Sequence, residues 1–150
     1  MLWNKNLFEG KPAFIHGDLQ FDNVIYNNNK FKLIDWRHEF DKSIDVGDIY
    51  YDLAKLYGGM LLSYKNIKEN KFSFEMSRDK IFYQYDMSSN LIEAREVFES
   101  FVLDNGYDLN KIKLITALIY LNMAPLHHDP FDHLLYFLGK KMLHKQSLSN

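Results

Sequence analysis

Apolar positions first come in short β-rich runs and then, from about residue 48, at helical intervals. Phe14-Ile15 predicts a short strand. Val24-Ile25-Tyr26 and Phe31-Lys32-Leu33-Ile34 flank Asn27-Asn28-Asn29-Lys30. Asparagine tolerates the left-handed backbone that tight turns demand, so the two runs predict a β-hairpin. If Tyr26 faces Phe31, then Val24 faces Leu33 and Asn23 faces Ile34, with Asp35 one step further. A slip of one residue remains open because the turn type is inferred. In either register Asn23 and Asp35 converge at one end of the hairpin. Trp36 to Gly47 reads as irregular and charged.

Beyond Asp48 the pattern is helical. Ile49, Leu53, Leu56, Tyr57 and Met60 recur at three- and four-residue spacing, and Gly58-Gly59 weakens that helix near its end. Lys65 to Asn70 reads as a polar connection, and Phe72 to Tyr85 as strand or irregular chain. Leu91 to Leu103 predicts a helix closed by Asn105-Gly106. Asp108 caps a further helix through Met123, which Pro125 stops, and Pro130 opens a last one over Phe131 to His144. The predicted fold is α+β and mostly helical. It forms a single domain, with a catalytic-side part over 1–62 and a helical part over 63–150.

Composition narrows the function. The chain has 150 residues, 47% of them hydrophobic and 25% charged, which fits one folded domain and excludes disorder. Eighteen basic and 20 acidic residues give a net charge of −2 with no long basic run, so no nucleic-acid partner is expected. The absence of cysteine excludes disulfides and thiolate metal sites and fits a reducing compartment. No apolar stretch is long enough to span a bilayer, and MLWNKNLFEGKP lacks a signal-peptide pattern. A cytoplasmic protein with no membrane partner is expected.

The costly polar residues cluster around the hairpin. The amide oxygen of Asn23 and the carboxylate of Asp35 are hard oxygen ligands suited to magnesium, which takes its remaining ligands from water or phosphate. Asp18 lies on the loop entering the same end, where a carboxylate can accept a proton from a hydroxyl nucleophile. The set suits phosphoryl transfer, in which positioning and charge neutralisation dominate.

The segment HGDLQFDN (His16–Asn23) resembles the H-x-D-x-x-x-x-N catalytic loop of the protein-kinase-like superfamily. HGDL followed by Asn and an apolar-apolar-Asp segment, then GDIYYDLAKL, resembles the aminoglycoside phosphotransferase and choline kinase branch. That resemblance covers Ile15 to Leu56 and implies the C-terminal catalytic lobe of a protein-kinase-like fold. It implies Asp18 as catalytic base or hydroxyl-orienting group, and Asn23 and Asp35 as ligands of Mg2+ and, through it, of ATP or another nucleotide. It implies Asp48 as the residue that holds the catalytic loop's backbone from the start of a helix. His16 and Asp52 are assigned structural support. The chain departs from the kinase D-F-G pattern at Asp35-Trp36-Arg37. Arg37 either reaches a phosphate or pairs with Glu39 or Asp41.

Fifteen residues precede His16, and they contain neither a glycine-rich phosphate loop nor a strand-borne lysine. An N-terminal nucleotide-binding lobe is therefore expected from elsewhere, in cis or from another subunit, and the chain alone is expected to be weakly active or inactive. Two functions remain open. One is an ATP-dependent phosphotransferase acting on a small-molecule hydroxyl: a sugar, an amino alcohol or an aminoglycoside. The other is a non-catalytic kinase-like binding or interaction module. Asp86, Glu93, Glu96 and Glu99 are either an anionic acceptor wall or a solvated helix face. His127-His128-Asp129-Pro130-Phe131-Asp132-His133 offers a metal cluster, an acceptor-pocket lining or plain surface, with no known zinc spacing.

Overall fold

The hairpin forms in the first of the two registers considered. In the computed structural model, which describes residues 9–37 and 46–148, β2 (Val24–Asn27) pairs antiparallel with β3 (Lys30–Leu33). Val24 faces Leu33 and Tyr26 faces Phe31. Asn28 and Asn29 both adopt positive φ, 49° and 57°, the left-handed pair that a two-residue hairpin turn requires. The Ile34 N–H donates to the Asn23 carbonyl (3.0 Å), so Asn23 stands opposite Ile34 and Asp35 follows at the hairpin's open end. The segment Trp36 to Gly47 lies largely outside the described residues, Glu39 and Asp41 included.

The first strand sits two residues earlier than Phe14-Ile15. β1 (Pro12–Ala13) pairs with β4 (Gly47–Asp48), because the Asp48 carboxylate accepts the Lys11 N–H (3.0 Å) and the Lys11 carbonyl accepts the Ile49 N–H (3.1 Å). Phe14 is left mostly exposed. Asp48 also caps α1 (Ile49–Leu61) by accepting the Tyr50 N–H. The helix continues through Gly58 and Gly59. A Cβ at Gly59 would stand 2.9 Å from the Phe21 ring, so glycine is what lets that loop residue lie against the helix.

Lys65 to Asn70 is not merely a connection. It contains most of a short helix, α2 (Tyr64–Lys68), capped by Ser63. Phe72 to Tyr85 resolves as a second hairpin, β5 (Phe72–Met76) with β6 (Ile81–Tyr85). Its half-buried Phe72, Phe74, Tyr83 and Tyr85 pack on the last helix's core. α3 (Ser89–Asp104), α4 (Leu109–Met123, capped by Asp108) and α5 (Phe131–Leu148) complete the chain. A 3-10 turn (Ala124–Leu126) holds Pro125 between the last two, and α5 runs past His144.

The fold is thus α+β and mostly helical, with its sheet content confined to three two-stranded ribbons among the described residues. One core cluster joins α1, α3 and α4 through Ala54, Tyr57, Phe98, Val102 and Ile112. A second joins the α1 end, α4, α5 and the β5–β6 hairpin through Leu62, Tyr120, Leu134 and Leu135. Buried polar groups are bonded across helices. The Thr116 hydroxyl donates to backbone carbonyls of Ala54 and Ile112, and the Tyr120 hydroxyl to Gly58. α1 therefore links the hairpin end to the helical half.

Candidate active site

The loop from His16 to Asn23 is held from below by one carboxylate. Asp52 is 4% exposed, and its two oxygens accept the backbone N–H groups of His16 (2.6 Å) and Gly17 (2.9 Å). Charge-assisted bonds of this kind are about twice as strong as neutral ones. The backbone-holding role that the resemblance implied for Asp48 is therefore filled by Asp52, one turn later. Asp48 instead joins β1 to β4 and caps α1. Gly17 takes φ +79°, and a Cβ there would lie 2.7 Å from the Arg37 Cβ. Glycine is required on both counts.

His16 is a scaffold. Its Nδ1 accepts the Asp18 N–H (3.2 Å) and its Nε2 lies 2.8 Å from the Ile34 carbonyl. A backbone N–H can only donate and a carbonyl can only accept, so the ring proton sits on Nε2. The ring packs on Trp36, centroids 4.6 Å apart. In this way His16 fixes the His16–Asn23 loop to the strand leading to Asp35. The His16 carbonyl accepts the Arg37 N–H (3.0 Å), a second tie between the same two segments. The Arg37 guanidinium lies 5.8 Å from the Tyr51 ring centroid.

Asn23 is buried, and its Nδ2 donates to the Asp18 carbonyl (2.9 Å) and lies 3.4 Å from Asp18 Oδ2. Both neighbours are acceptors, which fixes the amide's orientation. The Oδ1 that the geometry leaves over has no hydrogen-bond partner among the described residues. Asp35 is exposed, and its carboxylate likewise has none. Its φ of +59° is unusual for a residue with a side chain. Such backbone is retained where the surroundings over-determine it, commonly at functional sites.

Asp18 has two different oxygens. Lys55 Nζ, on α1, stands 2.6 Å from Oδ1 as an ion pair. Oδ1 is buried, and the Lys55 ammonium is the one partner it meets among the described residues. Oδ2 faces amide nitrogens of Gln20 (3.3 Å) and Asn23. Beside the loop lies a cavity of about 170 Å³ lined by Gln20, Phe21, Gly59, Ser63, Tyr64 and Leu91 among others. Burial and then the charges of Asp18 and Asp22 push the Tyr64 hydroxyl up to about 12.

Lys55 and Gln20 were not singled out by sequence reasoning. The available signal was helical spacing: Lys55 lies three residues after Asp52, on the same face of α1.

Of the four acids weighed as an acceptor wall or a solvated face, Glu99 is engaged by its neighbours. The Glu99 carboxylate accepts the Tyr57 hydroxyl (2.6 Å) and pairs with Lys113 (3.2 Å). Asp86, Glu93 and Glu96 are exposed or partly so. Asp129, Asp132 and His133 are the one group of three or more potential ligand residues among the described residues, with ligand atoms within 4.8 Å of one another. His133 Nδ1 sits 3.0 and 3.1 Å from the two carboxylates at the exposed start of α5. His127 lies outside that group and packs on Phe131.

Residues 1–69 match the model of APH, the phosphotransferase enzyme family. The match spans the His16–Asn23 loop, the hairpin, Asp35 and all of α1. It bears out the resemblance drawn from HGDLQFDN and GDIYYDLAKL, and it supports a phosphotransferase-family function. No curated protein and no solved structure matches the chain. Among the described residues, no helix is long and apolar enough to cross a membrane.

Proposed function

We propose that this chain carries the phosphoryl-transfer half of an ATP-dependent small-molecule O-phosphotransferase, organised as a protein-kinase-like C-terminal lobe. The observation that carries the reading is the orientation of Asn23. Its amide nitrogen is committed to Asp18, which leaves its oxygen as a ligand at the hairpin end where Asp35 has no hydrogen-bond partner among the described residues. An amide oxygen and a carboxylate fit a magnesium ion that keeps waters or phosphate oxygens. Bound there, the ion would neutralise phosphate charge.

The chain's own residues supply the rest. Asp18 accepts the proton of an acceptor hydroxyl through Oδ2, as the hydroxyl oxygen bonds to the transferred phosphorus and the bond to the departing diphosphate breaks. His16 and Asp52 hold the loop so that Asp18 and Asn23 do not drift apart. The cavity beside Gln20 is the acceptor's place in this reading, since Gln20 both lines it and touches Asp18. Its size suits a small acceptor of the sugar or amino-alcohol kind.

The test is magnesium-dependent nucleotide binding, measured by calorimetry or NMR for the chain and for Asp35→Ala. Weak binding that needs magnesium and is lost in Asp35→Ala is expected. Binding unaffected by the substitution would remove the metal–phosphate site. Without a glycine-rich loop and its lysine supplied from elsewhere, little or no turnover is expected, and ordinary enzymatic rates from this chain alone would contradict that part.

A further inference from the structure

Lys55 is a half-buried cation with one charged partner among the described residues. Its side chain is 11% exposed, and among the described residues its one charged or hydrogen-bonded contact is Asp18 Oδ1 at 2.6 Å. An ammonium carries three donors, and burying one is costly unless it is paired and hydrogen-bonded. Here the pairing is present, and among the described residues no second acceptor meets the ammonium. It sits next to the carboxylate at which a phosphate would be transferred.

We propose that Lys55 is a phosphate-contacting and positioning residue of this site: it holds Asp18 by Oδ1 and offers its remaining N–H donors to the transferred phosphate. The inference rests on the phosphoryl-transfer reading above and adds a cation to it that comes from helix α1. Three features support it. The Lys55 ammonium meets Asp18 at Oδ1, while Oδ2 faces the Gln20 and Asn23 amides, where an acceptor hydroxyl would be met. The same helix fixes the loop backbone through Asp52, so the cation and the loop move as one body. An ammonium beside Asp18 also offsets the repulsion between that carboxylate and an incoming phosphate, which two like charges at contact distance would otherwise make costly.

The role predicts effects of opposite sign on two ligands. Removing the cation weakens the hold on a polyanion and, by leaving Asp18 unneutralised, strengthens the hold on a lone divalent cation. A merely structural lysine would move both in one direction or neither. The experiment is an NMR titration of the full chain with sodium tripolyphosphate alone and with magnesium chloride alone, for wild type, Lys55→Met, Lys55→Arg and Asp35→Ala. Lys55→Met is expected to lower tripolyphosphate affinity by about fivefold or more and to raise magnesium affinity by about twofold. Lys55→Arg should keep tripolyphosphate affinity within about twofold of wild type, because the charge is retained.

A readout that needs no variant guards against misfolding of Lys55→Met. In the wild type the Lys55 side-chain resonance should shift as tripolyphosphate is added. The proposal is overturned if both affinities stay unchanged in Lys55→Met, if both move the same way, or if the Lys55 resonance stays still while loop residues respond. Loss of magnesium binding in Asp35→Ala beside an unaffected Lys55→Met would fell this role and leave the phosphotransferase reading standing. A wild type that binds neither ligand would fell both.

Discussion

The hairpin end and the helical half of this molecule are held together by different physics. Around residues 12–37 the fixed points are polar: Asp52 on two loop amides, His16 between Asp18 and Ile34, Asp48 on Lys11 and on α1. Exposed aromatic and aliphatic side chains, Phe14, Tyr26 and Phe31 among them, contribute little burial there. In α4 and α5 the fixed points are apolar, with Leu134, Leu135 and Ile112 wholly inaccessible. Burial of apolar area is tolerant of small displacements, whereas paired hydrogen bonds set positions to a fraction of an ångström. The proposed site, with two ligands and a base to place, needs the second kind of control, and α1 delivers it from the first kind of foundation.

Substitutions in the two regions should therefore fail differently. Leu134→Ala is expected to cost about 2–5 kcal/mol of global stability, read by chemical denaturation, with the loop amides protected until the whole chain unfolds. A cost under about 1 kcal/mol would mean that the α4–α5 core is not the foundation claimed. Asp52→Ala should cost about 2–4 kcal/mol, because two buried N–H groups lose a charged acceptor together. Its signature is local: hydrogen exchange should speed up at His16 and Gly17 far more than in α4. Uniform acceleration along the chain would erase the distinction between the two regions.

Gly17→Ala comes next, at about 1–3 kcal/mol, since it combines left-handed backbone with a clash against Arg37. Its thermal unfolding midpoint should fall, and an unchanged midpoint would show that the loop relaxes freely. The smallest effect is expected from pH. Burial pushes the Glu99 carboxyl up, but the Tyr57 and Lys113 hydrogen bonds and the Lys113 charge outweigh it and hold the group below its usual value. A depressed carboxyl contributes stability that is fully present above its unfolded-state value and is lost as pH falls through the folded one. Denaturation midpoints should thus decline below about pH 4.5, and less so in Glu99→Gln. Identical acid limbs in the two proteins would show that the network adds nothing.

The sequence announced the hairpin well because turn chemistry is local. Consecutive asparagines fix both the left-handed turn and, through it, the register that brings Asn23 and Asp35 together. Helix α1 was equally visible from its spacing and its Asp48 cap. What escaped was set by distant contacts. Phe14-Ile15 has strand-like residues, yet pairing goes to Pro12–Ala13 because Asp48 anchors Lys11. Phe72 to Tyr85 alternates too loosely to be read alone, and its inward rings are chosen by Phe131 and Phe137 on α5. Asp48 caps α1 and Asp52 lies in its first turn, and only the three-dimensional placement of His16 decides which one holds the loop. Lys55 was hidden for the same reason: its meaning comes from Asp18, 37 positions away in the chain.

The central claim is that Asn23 and Asp35 form one metal–phosphate site. Substituting paramagnetic Mn2+ for magnesium in the presence of a nucleotide tests it most directly, because relaxation enhancement falls steeply with distance from the ion. Line broadening is expected to centre on Asn23, Asp35 and the Asp18 loop, to depend on the nucleotide and to be abolished in Asp35→Ala. Broadening centred instead on Asp129, Asp132 and His133, or none at the hairpin end, would contradict it.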